Sequence, residues 1–197
     1  MVEAVRLSDW SQHEGERLLA PLGRRWVHSQ GVAEQAKLVS KELLAADAEM
    51  LIAAAYLHDV GYAPSLAVLG FHPVDGARWL VEQGHERLAG LVAHHSGSKF
   101  EAEVRGLSDE LGRFVDEEGP LTAALAYCDL TTGPDGQRMM PEERLEDIEI
   151  RHGADSPVVI GLRRAWPELM LAVAEIEERL CGTSPGQPMK GSVRPLR

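Results

Sequence analysis

Cysteine is nearly absent from this chain: two residues in 197, Cys128 and Cys181, with no Cys-x-x-Cys pair. That argues against a disulfide framework and a thiolate zinc site. Aromatics are scarce at 5%. The core must therefore be built from Leu, Ala and Val, which favours close helix packing over a β-sandwich. Positive charge is in the minority: 20 Lys and Arg against 31 Asp and Glu leave a formal net charge of −11. A polyanion-binding surface is normally basic, so no stable complex with DNA or RNA is expected. No apolar run reaches the roughly 18 residues needed to span a bilayer, and the opening Met1-Val2-Glu3-Ala4-Val5-Arg6 lacks a signal-peptide pattern. A cytoplasmic protein without a membrane partner is the expectation. No period-2 alternation persists, so no strand is expected, and there are no internal repeats.

What the chain does have is one helical pattern after another. Its length suits a single domain with a sizeable core, expected over residues 8–181. From Gly182 to Arg197 the composition turns to Gly, Pro, Ser and basic residues, and a disordered tail is expected. Ser8 or Asp9 is expected to cap a first helix that Pro21 stops. A second helix is expected from Arg24 to about Ala46. A third, apolar one runs from Ala48 to Asp59 and ends near Gly61, read as a left-handed cap. Pro73 suits the first turn of a fourth. Arg87 to His95 and Leu121 to Leu130 are apolar, the latter closed by the turn Gly133-Pro134-Asp135-Gly136. Pro141 opens an acidic helix read as a solvated face. Pro157 opens the last helix, which runs to about Leu180 and which Pro167 is expected to kink or reset.

The apolar run Leu51–Leu57 ends on His58-Asp59, two good ligands for a divalent metal. Further candidates follow the chain in order: His28 upstream, then His72, His94, His95 and Asp129. Asp59 and Asp129 sit in or at the edge of apolar stretches, where a carboxylate is costly unless paired or metal-bound. His13, His85 and His152 lie in polar contexts. Cys128 reads as a small buried hydrophobe.

This ordered set resembles the HD superfamily of metal-dependent phosphohydrolases over residues 24 to 132. The segments Phe71-His72-Pro73-Val74-Asp75-Gly76-Ala77 and Ala93-His94-His95-Ser96 are similar to the additional histidines of members that hold two metals, such as the HD-GYP branch. The resemblance implies an all-α, HD-domain-like helical bundle with a central metal cleft. One metal would take His28, His58, Asp59 and Asp129. A second would share Asp59 as a bridge, making it the catalytic residue, and take His72, His94 and His95. Neighbours on a helix point about 100° apart, so one of His94 and His95 can ligate while the other lines the pocket or faces the core; His94 is slightly preferred. Imidazole and carboxylate together suit one or two divalent transition metals, Fe, Mn, Co, Ni or Zn, better than Ca. Two such ions can lower the pKa of a shared water and clamp phosphoryl oxygens. The implied partner is a small phosphorylated substrate, an ester or anhydride, nucleotides included.

The chain also departs from its relatives. Ser96-Gly97-Ser98-Lys99 follows the paired histidines where the HD-GYP branch carries Gly-Tyr-Pro. Tyr62 stands where many HD proteins have Lys. Arg24 stands where members with a third metal have an acidic residue. Arg24, on the face of His28, is a candidate for substrate binding, as are Tyr62 and Lys99. Two other readings share the ligand set: a mixed-valence di-iron oxygenase, and a binding or regulatory module that has lost turnover. Substrate identity and oligomeric state stay open.

Overall fold

The structure, a computed structural model, describes residues 6–42 and 45–182. The tail expected from Gly182 lies outside these residues beyond its first position. The fold is all-α, as the composition and periodicity indicated. Ten helices follow one another among the described residues: α1 (Leu7–Leu19), α2 (Arg24–Val39), α3 (Ala45–Leu57), α4 (His72–Glu82), α5 (Glu86–Ala93), α6 (Ser98–Arg105), α7 (Ser108–Leu111), α8 (Pro120–Leu130), α9 (Pro141–His152) and α10 (Pro157–Leu180). Short 3-10 turns sit at Val60–Tyr62 and His95–Gly97. The sole β-type pairing among the described residues is an isolated bridge between Thr132 and Arg138.

Helices α3 and α8 form the centre because they are apolar on nearly every side. Leu51, Leu57, Leu125 and Leu130 are all but fully buried, each contributing about 1.5–3 kcal/mol. The alanines between them, Ala53, Ala54, Ala55, Ala124 and Ala126, let neighbouring helices approach closely. Around α3 pack α1, α2, α5 and α8, while α10 lies across α6 and α8. Both central helices end at the same place, so their C-terminal polar residues meet inside the molecule.

Several boundaries differ from expectation. The residue capping α1 is Arg6; Ser8 and Asp9 lie inside its first turn, where Asp9 receives the Arg6 guanidinium at 2.9 Å. Helix α2 stops at Val39, short of Ala46. The Ser40 hydroxyl there donates to the Lys37 carbonyl at 2.9 Å, and such local bonds compete with helix continuation. Pro167 lies within α10 without ending it. Both Pro167 and Arg163, whose carbonyl loses a partner, are on the exposed face, where water substitutes. Gly61 is not a left-handed cap, since it is absent from the positive-φ residues. Its role is close approach: a Cβ there would stand 2.0 Å from the His72 carbonyl oxygen and 2.6 Å from the Gly76 nitrogen. The turn after α3 thus lies directly against the start of α4.

Candidate metal centre

Five helices deliver the ligands. His28 comes from the middle of α2, and Gly31 one turn on lets that helix touch the turn at Gly136, whose Cα would lie 2.6 Å from a Cβ at 31. This contact brings the Gly133 carbonyl to 3.1 Å from His28 Nδ1. His58 and Asp59 follow the end of α3. His72 is the first residue of α4, with Pro73 in the first turn fixing the entry. His95 follows α5, and Asp129 sits in the last turn of α8.

These side chains form two groups, His28 with His58 and Asp129, and Asp59 with His72 and His95; within each, the potential ligand atoms lie within 4.8 Å of one another. Asp59 joins the groups. Its Oδ2 is 3.6 Å from His58 Nε2 and its Oδ1 is 3.5 Å from His72 Nε2. Each carboxylate oxygen therefore faces one group.

The backbone fixes which ring nitrogen faces inward. Nδ1–H of His58 can donate to the Ala55 carbonyl at 2.8 Å, that of His95 to Val92 at 2.6 Å, and that of His28 to Gly133. This turns the three Nε2 atoms inward, as in a metal-binding imidazole whose other ring nitrogen is held by a carbonyl. His58 Nε2 is buried with no hydrogen-bond partner. His72 Nε2 and His95 Nε2 are 3.3 Å apart, and His28 Nε2 is 3.0 Å from Asp129 Oδ1. A buried ring nitrogen without a partner, set among carboxylate oxygens and further ring nitrogens, suits a cation. The imidazole and carboxylate donors suit a divalent transition metal.

Charge keeps the ligands ready. Burial alone would raise the Asp59 carboxyl, but Arg25 first, then His58, His72 and His28, hold it well below the usual carboxylate range. Burial works against Asp129 likewise, and the His28 hydrogen bond with the charge of His58, His28 and Arg144 outweighs it. Burial drives the His72 imidazole well below its ordinary value, Asp59 opposing and His95 and Arg25 reinforcing. Burial and His58 lower His95. Lowered carboxyls at Asp59 and Asp129 and lowered imidazoles at His72 and His95 favour the deprotonated ligands that metal binding requires.

Arginines supply the counter-charge. Arg25 Nη1 donates to Asp59 Oδ2 at 2.6 Å. Arg144 Nη2 lies 3.1 Å from His28 Nε2 and 3.5 Å from Asp129 Oδ1. Ser96, held at φ 47 in the left-handed region at a cost of about 1–2 kcal/mol, donates its hydroxyl to Asp129 Oδ2 at 2.5 Å. Tyr62 packs by its ring: it stacks on His72 with centroids 4.0 Å apart, under the Arg25 guanidinium. Burial raises its phenol above the ordinary value, with the Asp59 charge adding to the rise. Asp59, His72, His95 and Asp129 open on a cavity of about 80 Å³, walled also by Arg25, Arg144 and Arg151, by Glu101 and by apolar Ile148, Val158 and Leu162.

Six of the seven expected ligands thus come together; His94 does not. The chain bends at Ser96, His95 points inward, and His94 turns away to place Nε2 3.0 Å from the Phe114 carbonyl oxygen. Lys99 is also outside the metal cavity, paired with Glu168 at 2.9 Å. Arg24 pairs with Asp135 at 2.8 Å and lines an adjoining cavity of about 160 Å³, whose wall includes Arg25, Arg144 and Arg151. Sequence reasoning missed Arg25, Arg144, Arg151 and Ser96. Arg25 is three residues before His28, a helical-face spacing that could have found it. Arg144 was hidden in a helix read as solvated.

The family model described as HD domain matches residues 25–148. No curated protein and no solved structure matches the chain.

Proposed function

The chain belongs to the HD-domain family, and from that premise we propose that it is a phosphohydrolase, metal-dependent, cleaving a small phosphate ester or anhydride. The observation that carries this reading is the convergence of six buried or nearly buried imidazole and carboxylate groups, with His58 Nε2 left without a hydrogen-bond partner among them. His28, His58 and Asp129 would hold one cation and Asp59, His72 and His95 a second, with Asp59 turned to both. Divalent cations bound there would lower the pKa of a water and offset the charge that builds on phosphoryl oxygens.

The remaining work falls to this chain's own groups. Arg25, Arg144 and Arg151 face the cavity, and their planar forks match phosphate oxygens. A dianionic substrate can take over the N–H groups that Arg25 and Arg144 otherwise give to Asp59 and Asp129. Ser96 fixes the orientation of Asp129 through its hydroxyl. Tyr62 fills the floor beneath Arg25 and holds His72 by stacking. Ile148, Val158 and Leu162 exclude water on the opposite wall and suit an organic leaving group.

The test is a panel of phosphomonoesters, phosphodiesters and nucleotides, on protein of measured metal content, with oxygen uptake followed in parallel. Phosphate release should depend on metal and fall at least a thousandfold in Asp59→Ala. Release that survives that substitution overturns the proposal. Oxygen consumption by an iron-loaded protein without phosphate release overturns it in favour of the di-iron oxygenase.

A further inference from the structure

His94 and Lys99, which the metal cavity excludes, share a second cavity between α8 and α10. Its volume is about 240 Å³, against about 80 Å³ for the metal cavity. The floor is small and apolar, built from Ala123, Ala126, Ala165, Leu169 and Ala172. The rim is acidic: Asp116, Glu118 and Glu168 face one cation, Lys99, which Glu168 already pairs.

His94 makes this more than an acidic rim. Its Nε2–H donates to the Phe114 carbonyl at 3.0 Å, which turns Nδ1 toward the cavity. That atom is buried with no hydrogen-bond partner, on a side chain one-tenth exposed. It faces Asp116 Oδ2 at 3.5 Å. A ring nitrogen without a hydrogen-bond partner beside a carboxylate oxygen leaves a place for a polar group that bridges them, and the excess of acid on the rim favours a positively charged one. The alanine floor favours a donor that carries carbon, because a bare metal ion would leave that floor against water.

The two cavities share a wall, Ser96 and Gly97. Ser96 holds Asp129, and its left-handed backbone persists only because its surroundings over-determine it. Gly97 backs directly onto α10: a Cβ there would stand 2.3 Å from the Ala165 Cβ. A ligand seated against this wall acts on a group bonded to a candidate metal ligand.

We propose that this cavity is a second ligand site, taking a small organic ammonium between His94 Nδ1 and Asp116, and that its occupancy is transmitted to the metal centre through Ser96. The probe is n-butylammonium, titrated into the full chain at constant ionic strength and followed by amide NMR shifts, with 1-butanol and magnesium chloride as parallel probes. Saturable shifts should appear around Lys99, Glu118 and Thr122. They should be at least tenfold weaker with 1-butanol, and lost in Asp116→Asn and in Ala123→Leu, which fills the floor; circular dichroism verifies that both variants fold. Equal binding of 1-butanol or magnesium, no saturable binding of n-butylammonium, or binding that survives both substitutions overturns the site.

The coupling arm rests on the metal reading above; the binding arm does not, so the two failures are distinguishable. The Mn²⁺ dissociation constant, read by electron paramagnetic resonance, should change at least threefold on saturation with n-butylammonium, and reciprocity requires the converse shift. The change should vanish in Ser96→Ala. An unchanged constant in the unsubstituted protein overturns the coupling. Absence of Mn²⁺ binding overturns the metal reading and the coupling together, and leaves the binding arm standing.

Discussion

Arg144 occupies the position at which the molecule balances charge in its first ligand group. Its guanidinium is buried and shares the acceptors His28 Nε2 and Asp129 Oδ1. A cation entering that group meets a fixed positive charge at close range and must displace it. Removing the charge should tighten metal binding by about tenfold, roughly 1.4 kcal/mol. The metal-free protein should lose stability, by about 3 kcal/mol, because the buried Asp129 carboxylate loses its guanidinium counter-charge. Arg144→Met is therefore expected to lower the melting temperature with chelator present and to recover most of it with metal. A loss of the same size in both conditions would show that Arg144 is a structural strut only. The six converging ligands were legible in the sequence because their order along the chain survives without knowledge of packing. The choice between His94 and His95 was not. It depends on the left-handed turn at Ser96, a backbone state that a serine does not advertise. Arg25 and Arg144 were missed because an arginine in a polar helix looks solvated until its burial is known.

At the scale of elements, the contact between the Val60–Tyr62 turn and α4 sets the distance between the two halves of the site. His58 and Asp59 lie on one side of it and His72 on the other. Gly61 makes the contact possible, since any Cβ would meet the backbone of His72 and Gly76, and backbone cannot swing aside as a side chain can. Gly61→Ala should cost about 3 kcal/mol, a fall of roughly 6–12 °C in melting temperature for a chain of this length. It should also move His72 off Asp59, so the variant should retain less metal on dialysis even at a temperature where it is fully folded. Full metal retention would sink this account of Gly61. The glycine was visible in the sequence but its purpose was misread, because a left-handed cap and a close approach select the same residue. Helices α3 and α8 were legible from their continuous apolar character. The eight residues of α6 were not: Gly97 and Gly106, both left-handed, bracket a stretch too short and polar to show a period.

Over the whole molecule, the site is assembled from residues 28 to 129, so no local segment of the unfolded chain can reproduce it. A cation that binds the folded state alone stabilises it by about 2.7 kcal/mol at a hundred times its dissociation constant. Protons act on the same groups in the opposite sense. His72 and His95 have lowered imidazole values in the folded chain. The unfolded chain therefore binds protons first as pH falls through its ordinary value of 6.5. The stability they contribute is complete above that value and is lost as pH falls through the lowered folded values. Asp59 and Asp129, also lowered, add a second loss below their ordinary value of 3.8. Melting temperature measured from pH 8 to pH 5 should thus fall in chelator, and the increment gained from added Mn²⁺ should shrink over the same range, since metal and proton compete for the same lone pairs. His72→Gln should flatten the first of these slopes. A melting temperature in chelator that rises on acidification across that range would contradict the lowered imidazoles of His72 and His95. The all-α architecture was readable from composition and periodicity because those report on single helices. The partition of the interior into a metal cavity and a second cavity was not, because it arises where α10 crosses α6 and α8, contacts between segments more than fifty residues apart in the case of α6. That same crossing sets the rim of Asp116 and Glu118 in one cavity and Arg25, Arg144 and Arg151 in the other, where they stand against Asp59, Glu101 and Asp129, so in a chain of net charge −11 the metal cavity is a place where positive and negative side chains balance.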